Sequence, residues 1–255
     1  MKLKNKIAIV TGGSRGIGKA IALTLANEGA DIALFGIHSD TMREAAKEIE
    51  EGGRKALALE TDVSVGAQVN RSVKKVIDTL GKVDILVNSA AIESIQNTII
   101  DLSDEQWAKE IGVNLSGPFY CMRAVLPHMI AQRSGKIVTI GSIAGHMGRY
   151  FASGAYCASK AGIVGLTMSV AMSVGKYGIN VNVVTPGPIR STMMDAFSEE
   201  KQEVVARNIV LSRTGVDTKM GLPQDIANAV LFMASSDSDW ITGVCLNVAG
   251  GILMG

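Results

Sequence analysis

Apolar residues in this chain come in two alternating patterns. Short runs are apolar at nearly every position, and longer stretches between them carry apolar residues three and four apart. The runs are KIAIVT (6–11), DIALFG (31–36), KALALET (55–61), KVDILVNSA, GKIVTIGS (135–142), GINVNVVTPG (178–187) and GVCLNVAGG. Short runs without alternation read as strands buried on both faces. Between them GIGKAIALTLANEGA reads as a helix closing on Gly29, and DTMREAAKEIEEGG as an amphipathic helix with a Gly-Gly stop. VGAQVNRSVKKVIDTLG, the region from Asp104 to Gln132, the stretch from Ala155 to Lys176 and PQDIANAVLFMAS complete the helices. The 104–132 region is expected to break or kink near Gly117-Pro118 and near Pro127, since proline lacks an amide donor and crowds the preceding turn. Strands alternating with helices predict an α/β protein with a parallel sheet covered on both faces. No repeat, low-complexity tract or linker divides the chain. One domain over 1–255 is expected, with a long polar segment, about 190–221, as a substrate lid.

Composition agrees with that plan. The 255 residues are 47% hydrophobic and 19% charged, enough for a large core. Lys plus Arg is 25 and Asp plus Glu is 24, so neither nucleic acid nor an anionic membrane is an expected partner. The lysines of MKLKNK precede only IAIV before TGG, too short for a signal peptide. No run reaches the ~20 apolar residues of a membrane span, and a cytoplasmic protein is expected. Cys121, Cys157 and Cys245 stand far apart among small or apolar neighbours, which reads as core packing in a reducing compartment. His38, His128 and His146 lack metal-ligand spacing, and no metal site is expected.

Chemistry enters at the end of the first strand. Thr11-Gly12-Gly13-Ser14-Arg15-Gly16-Ile17-Gly18 joins a strand to a helix. Glycines there let the backbone turn tightly and approach a pyrophosphate, while free N–H groups at the helix start face the anion. The spacing Gly12-x-x-x-Gly16-x-Gly18 is one residue wider than the commonest dinucleotide fingerprint. The end of the second strand, Phe35-Gly36-Ile37-His38-Ser39, has no acid before Asp40. An acid there would repel a 2′-phosphate. Arg15 is placed to meet one, with His38 and Ser39 as neutral donors, so NADP(H) is expected over NAD(H). A solvated loop charge is the competing reading of Arg15. The second chemical feature is Tyr156-Cys157-Ala158-Ser159-Lys160 at the start of an apolar helix, with no further charge until Lys176. Tyr156 and Lys160 share a helix face. A phenol beside an ammonium suits proton transfer to or from a carbonyl or alcohol oxygen.

TGGSRGIG at 11–18, Asn88-Ser89-Ala90-Ala91, Ser142, Tyr156-x-x-x-Lys160 and Thr185-Pro186-Gly187-Pro188-Ile189, in this order, resemble the short-chain dehydrogenase/reductase family over essentially the whole chain. The resemblance implies a doubly wound Rossmann fold with a seven-stranded parallel sheet. It implies hydride transfer between a nicotinamide and an alcohol or carbonyl carbon. Tyr156 matches the acid/base, and Lys160 the residue that lowers its pKa and holds the nicotinamide ribose. Ser142 matches the donor to the substrate oxygen, and Asn114 the asparagine that helps hold a water leading from Lys160. Gly12, Ser14, Arg15, Gly16, Ile17 and Gly18 then form the phosphate loop. Asp62 and Val63 match an adenine contact, with a helix N-cap as the rival for Asp62. Asn88 and Ala90 match positions beside the adenine ribose; Ala91 replaces the usual glycine. Pro186, Gly187, Ile189 and Thr192 match the segment that holds the nicotinamide.

The substrate side is quieter. A pocket is expected near Ile92–Ile95, Ala144–Phe151 and the segment after Pro188, with Ile92, Ala144, His146, Arg149, Phe151 and Met193 as candidate lining. Arg149 reads either as an anion contact or as a solvated charge, and His146 as a pocket donor or a plain loop residue. Met193, Met194 and Phe197 would open the lid. Overall the chain looks nearest to the β-ketoacyl-ACP reductases, which dock an acidic carrier on basic residues; Pro127 and Met172 stand at the aligned positions, and the lid is longer. A small secondary alcohol or ketone is therefore expected: sugar, polyol, hydroxy ketone or sterol-like. A 3-oxoacyl-ACP reductase is the alternative, and a non-catalytic nucleotide-binding regulator a third reading from another class. The 155–176 helix, uncharged between Lys160 and Lys176, predicts an isologous contact. The resemblance implies a homotetramer whose second contact uses the tail Val248–Gly255.

Overall fold

The computed structural model describes residues 1–94, 99–148, 152–191, 194, 198–212 and 219–254, the side chain of Lys201 aside. Seven strands form one parallel sheet: β1 (Ile7–Thr11), β2 (Asp31–Gly36), β3 (Ala56–Glu60), β4 (Ile85–Asn88), β5 (Gly135–Ile140), β6 (Ile179–Pro186) and β7 (Cys245–Val248), ordered β3-β2-β1-β4-β5-β6-β7. Strand order reverses between β1 and β4, which register Ala8 on Ile85 and Thr11 on Asn88. Open sheets of this kind bind ligands at such a switch point, beyond the strand C-termini.

The central strands are mostly apolar because both faces are covered; every residue of β1 and β4 is buried. In β1, Ala8 and Val10 join one core while Ile7 and Ile9 join the other. The first core takes Ile21, Ala22 and Leu25 of α1 (Gly16–Asn27), Met42 and Ile49 of α2 (Ser39–Glu51), and Ile226 and Val230 of α8 (Pro223–Ala234). The second takes Val69, Val73 and Val76 of α3 (Gly66–Leu80), Met122, Val125 and Met129 of α5 (Gly117–Gln132), and Ala171 and Val174 of α6 (Gly154–Val174). A short helix α4 (Asp104–Ile111), started by a Ser103–Gln106 capping box, precedes α5, and α7 (Glu199–Ala206) lies within the expected lid.

The expected irregularity in the 104–132 region is present, slightly earlier than Gly117-Pro118. It is a π-helical turn over Gly112–Ser116, and Asn114 is its buried residue. Such turns insert an extra residue and are frequent at functional sites. At the second site the helix does not break: α5 runs through Pro127. Pro127 and Arg123, one turn before, both lie on the face open to water. The carbonyl that the ring leaves without a helical donor is then solvated, and the helix continues.

The segment Gly154–Tyr177 is, among the described residues, the one helix long and apolar enough to cross a membrane by length and composition. It packs on β6 and on the turn after β5, as a core helix does. Its outward face carries Met168 and Met172, both exposed.

Candidate active site

The expected phosphate loop is shaped by what its glycines leave out. Gly12 and Gly16 have φ of +67° and +52°, the left-handed region that side chains rarely adopt. A Cβ on Gly18 would stand 2.2 Å from the Gly12 carbonyl oxygen, and one on Gly12 2.9 Å from the Ala90 Cα. At Gly16 a Cβ would meet nothing within 4 Å. The loop thus packs tightly on the protein side and leaves Gly16 facing open space. Arg15 precedes α1 and is exposed, while Ser14 and Ile17 are half-buried. Thr11, buried at the end of β1, accepts the N–H groups of Ser89 and Ala90, each at 3.0 Å. A hydroxyl unmarked in the sequence reading therefore ties the β4 loop to the glycine loop.

Asn88 ends β4. Its Nδ2 donates to Thr139 Oγ1 at 3.2 Å, and its buried Oδ1 has no partner. An unmet acceptor beside an open glycine cradle fits a ligand with hydroxyls, as the ribose of a dinucleotide has. Beyond β3, Asp62 Oδ1 accepts the N–H and the hydroxyl of Ser64 at 2.9 and 2.6 Å. The residue before α3 is Val65, so Asp62 shapes the turn ahead of the helix and is not its N-cap. Val63 is buried.

The expected selector strand holds a surprise in its neighbour. His38 is exposed at the start of α2. However, β3 registers Glu60 opposite Gly36, and the Ser39 hydroxyl donates to Glu60 Oε2 at 3.4 Å. An acid stands beside this site after all, supplied by β3. Only sheet register reveals it.

Tyr156 and Lys160, the expected proton-transfer pair, lie on the first turns of α6. The Ser153 hydroxyl oxygen caps the helix by accepting the N–H of Tyr156 at 2.9 Å. Tyr156 is 7% exposed and Lys160 4%. The ammonium sits 5.5 Å from the phenol ring centroid and donates to the Ile140 carbonyl at 2.9 Å. Burial pulls Lys160 down to about 8, and the nearby Glu93 carboxylate acts the other way. Ser142 follows β5, 5% exposed, and its oxygen accepts the Ala144 N–H at 3.1 Å. The turn Ile143–Gly145 rests directly on α6: a Cβ on Gly145 would meet the Lys160 carbonyl carbon and oxygen at 2.6 Å. Close backbone approach thus joins the Ser142 segment to the helix of Tyr156 and Lys160. Asn114 is 1% exposed and grips Ile92, accepting its N–H at 2.9 Å and donating to its carbonyl at 2.8 Å. Its side chain therefore holds the loop after β4.

Pro186 ends β6, Gly187 abuts Ala249, and the buried Ile189 bridges to Gly221. Next to them a cleft of about 500 Å³ opens between Ile189, Val210, Lys219 and Gly250. Ala144 is buried and His146 exposed. Ile95, Arg149, Tyr150, Phe151, Thr192, Met193 and Phe197 lie outside the described residues. Cys121 is core, its thiol pushed up to about 12 by burial, and none of the three cysteines is in a disulfide.

The model of the short chain dehydrogenase family matches residues 6–203. A 3-oxoacyl-(acyl-carrier-protein) reductase of Staphylococcus epidermidis is 40% identical over 251 residues, covering 98% of this chain and 100% of the relative. The enzyme of the same name from Escherichia coli K12 is 39% identical over the full length of both chains. A hydroxy(phenyl)methylsuccinyl-CoA dehydrogenase subunit of Thauera aromatica is 38% identical, covering 98% of each. The crystal structure of a short-chain type dehydrogenase/reductase from Mycobacterium marinum superposes with a TM-score of 0.92 at 33% identity, over 100% of this chain and 98% of the other. These relatives favour the acyl-carrier alternative over the sugar, polyol, hydroxy ketone or sterol-like alcohol that the sequence reading put first.

Proposed function

Since this chain belongs to the short-chain dehydrogenase family, we propose that it reduces the 3-oxo group of an acyl thioester with NADPH, Tyr156 supplying the proton. The observation that carries the substrate class is the agreement of full-length relatives. The Staphylococcus and Escherichia enzymes are named for a 3-oxoacyl group, and the Thauera one for a CoA ester with its hydroxyl at the equivalent carbon. The intact set of Ser142, Tyr156 and Lys160 supports catalysis over a purely regulatory role.

Gly12, Ser14, Arg15, Gly16, Ile17 and Gly18 would hold the pyrophosphate, Asp62 and Val63 the adenine, and Asn88 and Ala90 its ribose. Lys160 would hold the nicotinamide ribose, with Pro186, Gly187, Ile189 and Thr192 along the nicotinamide. Bound there, the reduced cofactor supplies the hydride for the carbonyl carbon. Ser142 donates to the substrate oxygen and steadies the charge that develops on it. Tyr156 gives its phenolic proton to that oxygen, so C=O becomes CH–OH. The buried Lys160 ammonium favours the phenolate left behind. Asn114, by fixing Ile92, shapes the wall the substrate meets. Arg15 and the neutral β2 end support NADPH, while Glu60 opposes it.

Carrier choice follows the surface. Pro127 and Met172 are exposed and uncharged. They offer an acidic carrier protein no cation, which favours the CoA ester over the carrier-protein ester. A homotetramer in the cytoplasm completes the proposal, with 190–221 as lid. Met168 on α6, the tail Ile252–Met254 and the absence of a disulfide at Cys121, Cys157 and Cys245 support it. The test is NADPH oxidation with acetoacetyl-CoA, acetoacetyl-carrier protein and a panel of sugars, polyols and ketones. Fastest turnover of acetoacetyl-CoA is expected. Turnover confined to the panel would overturn the thioester reading.

A further inference from the structure

α4 is a surface helix whose one buried residue is a glutamate. Glu110 is 0% exposed, and an isolated carboxylate there would be costly. Both its oxygens are engaged. Oε1 accepts the N–H of Ser94 at 2.9 Å, and Oε2 accepts the hydroxyl of Ser153 at 2.6 Å. Ser153, 1% exposed, passes the connection on, because its oxygen also accepts the N–H of Tyr156 at 2.9 Å. Four residues after Glu110, Asn114 grips Ile92 by its N–H and its carbonyl. The loop 92–94 and the first turn of α6 are thus fastened to the same short stretch of chain, through one carboxylate.

We propose that Glu110 is a positioning residue for proton transfer: through Ser153 and Ser94 it sets where the Tyr156 phenol stands relative to the substrate wall at Ile92–Ser94. It does this without touching substrate. Only a group accepting at both oxygens satisfies two donors at once. The amide of Glu110→Gln keeps the shape and the Ser94 contact but presents a donor to Ser153. The Ser153 hydroxyl then loses its acceptor and the chain to Tyr156 slackens. Small misplacement of a reacting group costs rate far more than it costs binding.

The inference rests on Tyr156 as the acid of the proposed reaction. It is tested on Glu110→Gln, Ser153→Ala and the double variant. The assay uses NADPH and acetoacetyl-CoA, or the fastest ketone of the panel if the thioester is not turned over. Each single variant should lower kcat roughly tenfold, with KM and the fluorescence-measured NADPH Kd within about twofold. The double variant should be no slower than the slower single, because both act along one chain of hydrogen bonds. Ser153→Thr, which keeps the hydroxyl, should restore most of the rate. Unchanged kcat in Glu110→Gln, losses that multiply in the double variant, or a Kd that weakens as much as kcat falls would each overturn the inference. If Tyr156→Phe is inactive while Glu110→Gln behaves as wild type, only this inference fails. If Tyr156→Phe stays active, or wild type turns over no carbonyl compound, both fail.

Discussion

Lys160 Nζ donates to the main-chain carbonyl oxygen of Ile140 at 2.9 Å, where β5 ends. The bond pins the buried ammonium to the sheet while its stem rises from α6, one turn beyond Tyr156. A long side chain that would otherwise wander is held 5.5 Å from the phenol ring centroid. Sheet and helix together, and not the helix alone, place this charge beside Tyr156, as the acid/base role proposed for the phenol requires.

That buried charge should appear in stability. Burial lowers Lys160 from its ordinary 10.5 to about 8, against the pull of Glu93. The unfolded chain keeps the ordinary value. Between the two the unfolded state binds more protons, so stability rises with pH there. Compared with Lys160→Met, wild type should gain stability as pH rises from about 8 towards 10.5. The difference should be flat below that window. Melting temperatures of both proteins across that range check it; a falling or flat difference inside the window would refute the burial argument.

In the proposed cofactor site, Arg15 and Glu60 act in opposite directions on a 2′-phosphate. Arg15→Ala should weaken NADPH about tenfold and leave NADH nearly unchanged, the scale of one charged hydrogen bond. Glu60→Gln should do the reverse and tighten NADPH, since it removes an acid beside Ser39. Fluorescence titration of both cofactors with both variants separates these effects. Equal changes for NADPH and NADH would exclude a 2′-phosphate site here.

The glycines of the phosphate loop should differ in kind. Gly18→Ala drives a methyl to 2.2 Å from the Gly12 carbonyl, so the loop must shift. It should cost about 1–3 kcal/mol of stability and most dinucleotide binding. Gly16→Ala meets open space and suffers only from its φ of +52°, a strain of about 1–2 kcal/mol. Its methyl should impair binding more than folding. Denaturant unfolding and cofactor titration of the two variants measure each term.

Much of this was legible in the chain, and for physical reasons. The strands announce themselves because burial on both faces makes runs such as Ile7–Val10 and Ile32–Phe35 apolar at successive positions. Gly12, Gly18 and Gly145 stand where backbones touch. Pro127 misled because its effect depends on which helix face it occupies, and that face is open to water. Glu60 stayed hidden because its neighbour Gly36 is brought beside it only by sheet register. Glu110 stayed hidden because a glutamate in a polar helix looks like a solvated charge until α6 and the 92–94 loop close over it. Thr11 and Ser153 are small hydroxyls whose partners are backbone N–H groups, and no side-chain pattern marks them.

The most direct test removes one oxygen. Wild type and Tyr156→Phe should be compared for NADPH oxidation with acetoacetyl-CoA, with NADPH Kd measured on both. The account predicts that Tyr156→Phe loses at least about a hundredfold in kcat, the usual worth of a positioned acid, with Kd unchanged within about twofold. A variant that keeps its rate would contradict Tyr156 as the proton donor, and with it the chemistry proposed for this site.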